Sequence, residues 1–313
     1  MAMIRGLTIA LGLSAAFGLS ATASAQETYI PLVSKGFQHQ FWQAVKQGAE
    51  QAGKDLKVKV SFEGPETEAM VDKQIDMLSA ALAKNPKAIG FAALDSKAAI
   101  PLLKKAQAAK IPVVAFDSGV DSDIPVTTAT TDNKAAAALA ADKMAALIGK
   151  SGEVAVVAHD QTSRTGIDRV EGFTQRMKST YPNIKVVSVQ YGGGDHLKST
   201  EITKSILQAS PNLKGIFGAN EGSAIGVLNG AKEMKRKIVV IGYDSGKLQK
   251  DAIRNGTMAG AITQNPVGIG YKTVEAAVKA LKGEKLPKII DTGFYWYDKS
   301  NIDDPKIAAV LYD

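Results

Sequence analysis

The stretch VVIGYDSG, residues 239–246, decides the fold, because the chain has already written a close variant of it as VVAFDSG at 113–119. The repetition extends upstream. PKAIGFAALDSKAAIPLLKKA (86–106) aligns without gaps on PNLKGIFGANEGSAIGVLNGA (211–231), matching Pro86 with Pro211, Ala99 with Ala224, Ile100 with Ile225, Leu103 with Leu228 and Ala106 with Ala231. A two-residue insertion then brings VVAFDSG onto VIGYDSG. Each copy reads strand, loop, helix, strand, loop. Such a long period in so few copies excludes a solenoid and predicts two similar lobes facing each other.

The surrounding segments carry the same rhythm. ETYIPLVSK (27–35) is an apolar strand, and the next stretch places Phe41, Val45, Ala49 and Ala52 at helical spacing. KVKVSFEG (57–64) alternates like a strand; Val71, Ile75, Leu78 and Leu82 mark one helix face; KAIGFAAL (87–94) reads as a buried strand. The pattern restarts with GEVAVVAH (152–159), a helix from about Arg169 to Lys178, NIKVVSVQ (183–190), a helix carrying Ile202, Ile206 and Leu207, and KGIFGAN (214–220). Strands alternating with helices of this length predict parallel sheets built from βαβ units.

Open parallel sheets bind ligands beyond the carboxyl ends of their strands. Asp117 and Asp244 stand in corresponding loops after corresponding strands, so two facing lobes would present both carboxylates to one cleft. Asp-Ser-Gly is also ordinary turn or cap chemistry; its duplication at equivalent places favours the site. Further binding chemistry collects at predicted strand ends: Lys35, His39 before the pair Phe41 and Trp42, Arg164 and Arg169 in TSRTGIDRVEGF (162–173), Asn220 in GANEGSA (218–224), and Gln264 before Asn-Pro in AITQNPVG (261–268). Aromatic rings can cover the apolar face of a sugar, an arginine fork suits adjacent hydroxyls, and an asparagine both donates and accepts. Asp168 beside Arg169 offers the competing reading of a surface ion pair.

Composition narrows the classes. Among 313 residues, 45% are hydrophobic and 22% charged, which supports a large core. MAMIRGLTIALGLSAAFGLSATASAQ carries one basic residue, an apolar run and Ala23-Ser24-Ala25, the pattern of a secretory signal cleaved after Ala25. No cysteine occurs, so neither disulfides nor a lipid-modified cysteine are expected. The formal charge of +7 comes with no basic run interleaved with aromatics, so nucleic acid is not an expected partner. The three histidines are not spaced as a metal pair, and neither H-E-x-x-H nor G-x-S-x-G occurs. GGGDHLKS (192–199) lacks the glycine of a phosphate loop and reads as a strand-to-helix connection capped by Asp195. No metal or cofactor is expected, and no catalysis.

Taken in order, the leader, the Phe41-Trp42 pair, VVAFDSG, TDN at 131–133, GANEG, VIGYDSG and AITQNP resemble the bacterial periplasmic sugar-binding proteins of ribose-binding type over nearly the whole mature chain. The resemblance implies a type I periplasmic binding protein: α/β, two Rossmann-like lobes with parallel sheets joined by a three-strand hinge. It implies a leader at 1–25, one lobe of 26–131 plus 265–292, the other of 132–264 plus 293–313, and closure about Thr131, Asn265 and Gly293. It implies a monosaccharide or sugar alcohol as ligand, an ABC permease with its ATPase as partner, a chemoreceptor as a second partner, a periplasmic location and a monomer. Carried over residue by residue, the ligand set is Lys35, His39, Phe41, Trp42, Asp117, Ser118, Arg164, Arg169, Asn220, Asp244 and Gln264. The sequence departs from the ribose pattern at three places. Ser118 replaces an arginine, Ala92 an asparagine, and Gly194 the aromatic of the second lobe, for which Tyr191 is the available substitute. Lys35, His39, Arg164 and Arg169 together also suit an acidic sugar. A sensory or autoinducer receptor and a periplasmic enzyme are the alternative functions. The related gene regulators carry a DNA-reading helix-turn-helix where this chain has its leader.

Overall fold

A computed structural model describes residues 28–313; the expected leader and its cleavage point lie outside them. The first half runs β1 (Tyr29–Val33), α1 (Gln40–Leu56), β2 (Lys59–Glu63), α2 (Val71–Ala83), β3 (Ile89–Phe91), α3 (Ile100–Ala108), β4 (Val113–Phe116) and β5 (Thr127–Thr130). After α4 (Asn133–Leu147) the same succession returns as β6 (Gly152–Ala158), α5 (Arg164–Thr180), β7 (Ile184–Tyr191), α6 (His196–Ala209), β8 (Leu213–Gly218), α7 (Glu221–Glu233), β9 (Val239–Tyr243), α8 (Lys247–Arg254) and β10 (Gly260–Gln264). α9 (Pro266–Leu281), β11 (Ile289–Asp291), β12 (Phe294–Tyr297) and α10 (Pro305–Ala308) complete the chain.

The strands form two sheets of like topology. One is ordered β2-β1-β3-β4-β5-β11 and the other β7-β6-β8-β9-β10-β12. All neighbours are parallel except β12, which runs antiparallel to β10. Helices cover both faces, so the inner strands are apolar throughout rather than alternating; all four residues of β4 are buried. Each sheet therefore has two cores. In the first lobe, Ile30, Leu32 and Phe116 pack under α1 and α9, while Val33, Ile89 and Phe91 pack under α2 and α3. In the second, Val154, Val156 and Phe217 face α4 and α5, while Ala155, Val157 and Ile216 face α6 and α7.

Helix α9 follows a strand of the second sheet yet packs on α1 of the first lobe, and glycine permits the close approach. A Cβ on Gly48 would stand 1.9 Å from Val267 O, and one on Gly270 1.9 Å from Val45 O. Between the sheets the backbone passes through Thr131–Asp132, Asn265 and Thr292–Gly293. Thr292 N–H donates to Thr130 O at 3.0 Å, tying two of these passages together. Gly293 takes φ 78°, a left-handed conformation natural to glycine.

Local starts follow capping chemistry. Asp132, Ser163, Asp195, Asn220 and Asn265 cap α4, α5, α6, α7 and α9 with their side chains. Helix α5 begins at Arg164, a turn and more before the start expected from periodicity, because Ser163 Oγ accepts from Gly166 N–H.

Candidate functional site

Asp117 and Asp244 end β4 and β9 in the same unusual way. Both take positive φ, 54° and 77°, a region that aspartate tolerates better than most residues. Each N–H bonds forward to the next strand, Asp117 to Ala129 O and Asp244 to Ile262 O. The turn reading of Asp-Ser-Gly does not compete with the site reading: the left-handed turn is what turns each carboxylate out of its sheet. Neither carboxylate caps a helix of its own lobe from the expected N-cap position; the N-cap of α8 is Gly246.

The two loops meet at a small cavity lined by Lys35, His39, Phe41, Trp42, Asp117, Arg169, Asn220, Asp244 and Gln264, together with Glu68, His159 and Thr165. The last three were not expected from the sequence. Two expected residues lie elsewhere. Ser118 is buried behind Asp117, its N–H bonded to Phe116 O. Arg164 points to the outer face, where it pairs with Asp168 at 2.9 Å and Asp121 at 3.4 Å. One helix turn takes 3.6 residues, so Arg164 and Arg169 leave α5 on different sides. Tyr191 is half-buried and is not part of the lining.

Arg169 is held on three sides. Nε donates to Asn133 Oδ1 at 2.8 Å, Nη1 to Ala219 O at 3.0 Å, and the guanidinium carbon lies 3.8 Å above the Tyr243 ring. The ion pair with Asp168, the competing reading of Arg169, does not form; Asp168 pairs with Arg164 and Lys134. Lys35, 2% exposed, reaches from β1 across to the other lobe, where Nζ donates to Thr165 Oγ1 at 3.0 Å and approaches Asp160 Oδ2 at 3.9 Å. His159 Nε2 lies 3.1 Å from the same Thr165 hydroxyl, and burial together with the Lys35 charge keeps its ring neutral.

The carboxylates differ. Asp244 Oδ1 accepts from Gln264 Nε2 at 2.8 Å and Oδ2 from Glu221 N–H at 3.1 Å. The Asp117 carboxylate accepts no side-chain or backbone donor among the described residues, and burial pushes it up to about 6 against the pull of Lys35 and Arg169. Glu68 has the opposite balance. Burial, the largest single influence, would raise it, but Lys35, His39, His159 and the Trp42 hydrogen bond together hold it at about 2. Burial lowers His39, and its ring is neutral. Gln38 Nε2 stands 2.9 Å from His39 Nε2 while also donating to Gly194 O, so that ring nitrogen is the acceptor and Nδ1 carries the hydrogen. His39 Nδ1 and Gln264 Oε1 are buried without a protein partner.

The arrangement can bind a small solute rich in hydroxyl groups. It offers an uncommitted carboxylate, a donor and an acceptor awaiting partners, and the rings of Phe41 and Trp42, which meet edge to face at 5.0 Å. Among the described residues no group of three or more His, Cys, Asp or Glu is placed to hold a metal ion, and no helix is long and apolar enough to cross a membrane.

Comparison with known proteins points the same way. The family model described as a periplasmic binding protein domain matches residues 30–285. The D-allose-binding periplasmic protein of Escherichia coli (strain K12) is 29% identical over 86% of this chain and 89% of its own. The ribose import binding protein RbsB of Salmonella typhimurium is 29% identical over 91% of this chain and 95% of its own. Among solved structures, an ABC transporter solute-binding protein from Agrobacterium vitis with bound D-fucose superposes with a TM-score of 0.88 at 35% identity, covering 91% of this chain and 100% of that one. A carbohydrate transporter solute-binding protein from Agrobacterium radiobacter in complex with D-arabinose gives 0.88 at 34% identity, covering 92% and 100%. A family match over residues 30–285, most of both lobes and two of the three passages between them, settles the relationship: the chain belongs to the periplasmic binding protein family.

Proposed function

We propose that the protein is an exported receptor of an ABC importer, which binds a monosaccharide or sugar alcohol between its lobes and delivers it to a membrane permease driven by an ATPase. The observation that carries this reading is the convergence of Asp117 and Asp244, from equivalent strand ends of two like lobes, on one cavity. The binding residues are Lys35, His39, Phe41, Trp42, Glu68, Asp117, His159, Thr165, Arg169, Asn220, Asp244 and Gln264. Asp117 accepts two hydroxyls, and Asp244 accepts another on a lone pair left by Gln264 and the Glu221 N–H. Gln264 Oε1 takes a hydroxyl hydrogen and His39 Nδ1–H gives one. Buried polar groups that lack partners are costly, so the pattern selects sharply among solutes. The rings of Phe41 and Trp42 cover C–H faces.

The lobes are 26–131 plus 265–292 and 132–264 plus 293–313, and they open and close at the passages near Thr131, Asn265 and Gly293. The leader directs the chain to the periplasm and is removed after Ala25; the mature protein acts as a monomer, and its closed form is what the permease, and a chemoreceptor, recognise. A thermal-shift screen of the mature protein against pentoses, hexoses, their alditols, aldonic acids and amino acids tests the reading. A solute at a hundred times its Kd adds about 2.7 kcal/mol of stability. A shift by an amino acid with none by any carbohydrate overturns it.

A further inference from the structure

The wall of the cavity at Glu68, which Gly194 of the other lobe stands against, is unlike the rest. Glu68 stands in the loop after β2, and Gly194 in the loop after β7, the edge strand that corresponds to β2 in the other sheet. Oε1 of Glu68 accepts from Trp42 Nε1 at 2.7 Å, which fixes the carboxylate. Oε2 accepts one long hydrogen bond across the interlobe space, from Asn220 Nδ2 at 3.4 Å, and lies 4.0 Å from His39 Nε2, which leaves it a lone pair for a further donor. A Cβ at position 194 would lie 3.1 Å from that oxygen, 3.1 Å from Asn220 Nδ2 and 3.2 Å from His39 Nε2, on a backbone with φ 69°. Any side chain there would compete with Glu68 for the same space. Glycine keeps this wall polar.

The charges around the cavity are unevenly committed. Lys35 is spent on Ser163, Thr165 and Asp160. Arg169 is spent on Asn133, Ala219 and the Tyr243 ring. Arg164 lies outside. His39 and His159 have lowered proton affinity. A solute carboxylate would therefore meet three carboxylates, Glu68, Asp117 and Asp244, while the two cations of the lining, Lys35 and Arg169, are already engaged by protein groups; a hydroxyl donates to any of the three.

We propose that Glu68, exposed to the solute by Gly194, is a specificity-determining residue that accepts a solute hydroxyl and bars anionic solutes, so that the ligand is a neutral polyhydroxylated molecule rather than a sugar acid. This rests on the receptor reading above. The closing experiment is calorimetry and thermal shift on wild type and Glu68→Gln, using aldose, alditol and aldonate of matched carbon number and configuration. In wild type the neutral members bind about 100-fold or more tighter than the aldonate, since like charges at short range in a low-dielectric site repel strongly. In Glu68→Gln the amide oxygen still accepts from Trp42, neutral binding weakens, and the neutral-to-aldonate ratio narrows by about tenfold or more, as a lost charge–charge repulsion requires. A merely structural role would weaken both classes and leave the ratio unchanged, which overturns the inference, as does equal binding of aldonate and aldose by wild type. If no carbohydrate binds wild type at all, the receptor reading falls and this inference with it. Should Glu68→Gln fail to fold, Gly194→Ala provides the second variant: it presses a methyl group against Oε2 with the charge intact, so neutral affinity falls and discrimination against the aldonate persists. Loss of that discrimination in Gly194→Ala overturns the inference.

Discussion

The Glu221 carboxylate of the second lobe accepts the backbone N–H of Phe41 in the first at 3.1 Å, and its other oxygen accepts that of Gln40 at 3.2 Å. Helix α1 has no side-chain cap of its own and no acidic residue in its first turn. Its N-terminus is therefore capped from across the cleft, where the exposed N–H groups and the helix dipole favour a negative charge. The exchange is reciprocal: Gln40 Oε1 accepts Lys247 N–H at 2.7 Å, at the start of α8, whose own N-cap is the side-chain-free Gly246. Both caps exist only with the lobes together.

Glu221→Ala removes one cap from the closed form alone. A cap contributes about 1 kcal/mol, so solute affinity falls about fivefold while the melting temperature of the solute-free protein stays put. Calorimetric Kd and a melt of the free protein, side by side, check this. An equal loss of stability with and without solute would mean that the contact is present in both states and does not report closure.

The same carboxyl makes closure sensitive to alkali. Burial, with Asp244 adding to it, outweighs the pull of the Phe41 and Gln40 N–H groups and pushes Glu221 up to about 7 in the closed form. A group raised by closing takes up a proton as the lobes meet, so its contribution to closure is complete below the ordinary carboxyl value and is lost as pH rises through 7. Asp117 works in the other direction on binding. Its carboxyl, raised to about 6 chiefly by burial, must be ionised to accept two hydroxyls, so affinity declines below pH 6 and binding releases a proton there. The expected profile of affinity against pH is a bell. Glu221→Gln flattens its alkaline limb and Asp117→Asn its acid limb, the latter with an overall loss of about tenfold or more for a charged acceptor. Titrations in buffers of different ionisation enthalpy read the protons directly; a flat wild-type profile from about pH 5 to pH 8 contradicts both assignments.

Arg164 offers a contrast on the rim. Its partners Asp121 and Asp168 lie on opposite lobes, and the side chain is 33% exposed. Such a pair contributes at most about 1 kcal/mol and is screened by salt. Arg164→Ala is expected to weaken binding less than about fivefold at low salt, less still at high salt, and to leave the order of preference among solutes unchanged. A changed preference order would return Arg164 to the ligand set.

Much of this could be read from residues because the duplication fixes both fold and site at once. VVAFDSG and VIGYDSG announce equivalent strands, and the strand-end rule then picks out Lys35, Asp117, Asn220, Asp244 and Gln264. Glu68 obeys that rule too, standing after KVSFE, but its loop has no sequence twin: the corresponding loop of the other lobe is Gly-Gly-Gly-Asp. His159 and Thr165 were hidden differently. Their part depends on Lys35 crossing between the lobes, a contact between residues more than a hundred positions apart. Arg164 and Arg169 are inseparable in sequence because periodicity shows the helix only from about Arg169, whereas the cap at Ser163 starts it at Arg164, and the start decides which side each one faces. The reciprocal caps of α1 and α8 left only a negative signal, helices beginning without a capping side chain.

Arg169 carries the last prediction. Only 3% exposed, it joins α5 to Asn133 at the start of α4, to the end of β8 through Ala219 O, and to β9 through the Tyr243 ring. Tyr243 OH donates to the same Asn133 Oδ1 at 3.0 Å, so the three groups form one unit. Lysine keeps the charge but has neither the planar fork nor the flat face that stacks on a ring. Arg169→Lys therefore leaves the Ala219 carbonyl or Asn133 short of a donor in a buried place, at about 1–3 kcal/mol. The remaining charge also sits farther from Asp117 and Asp244. Urea denaturation of the solute-free variant should show that loss, and calorimetry a Kd raised by about tenfold, since 1.4 kcal/mol corresponds to that factor. Stability within about 0.5 kcal/mol of wild type would show that charge alone matters here and that the fork and stack contribute nothing.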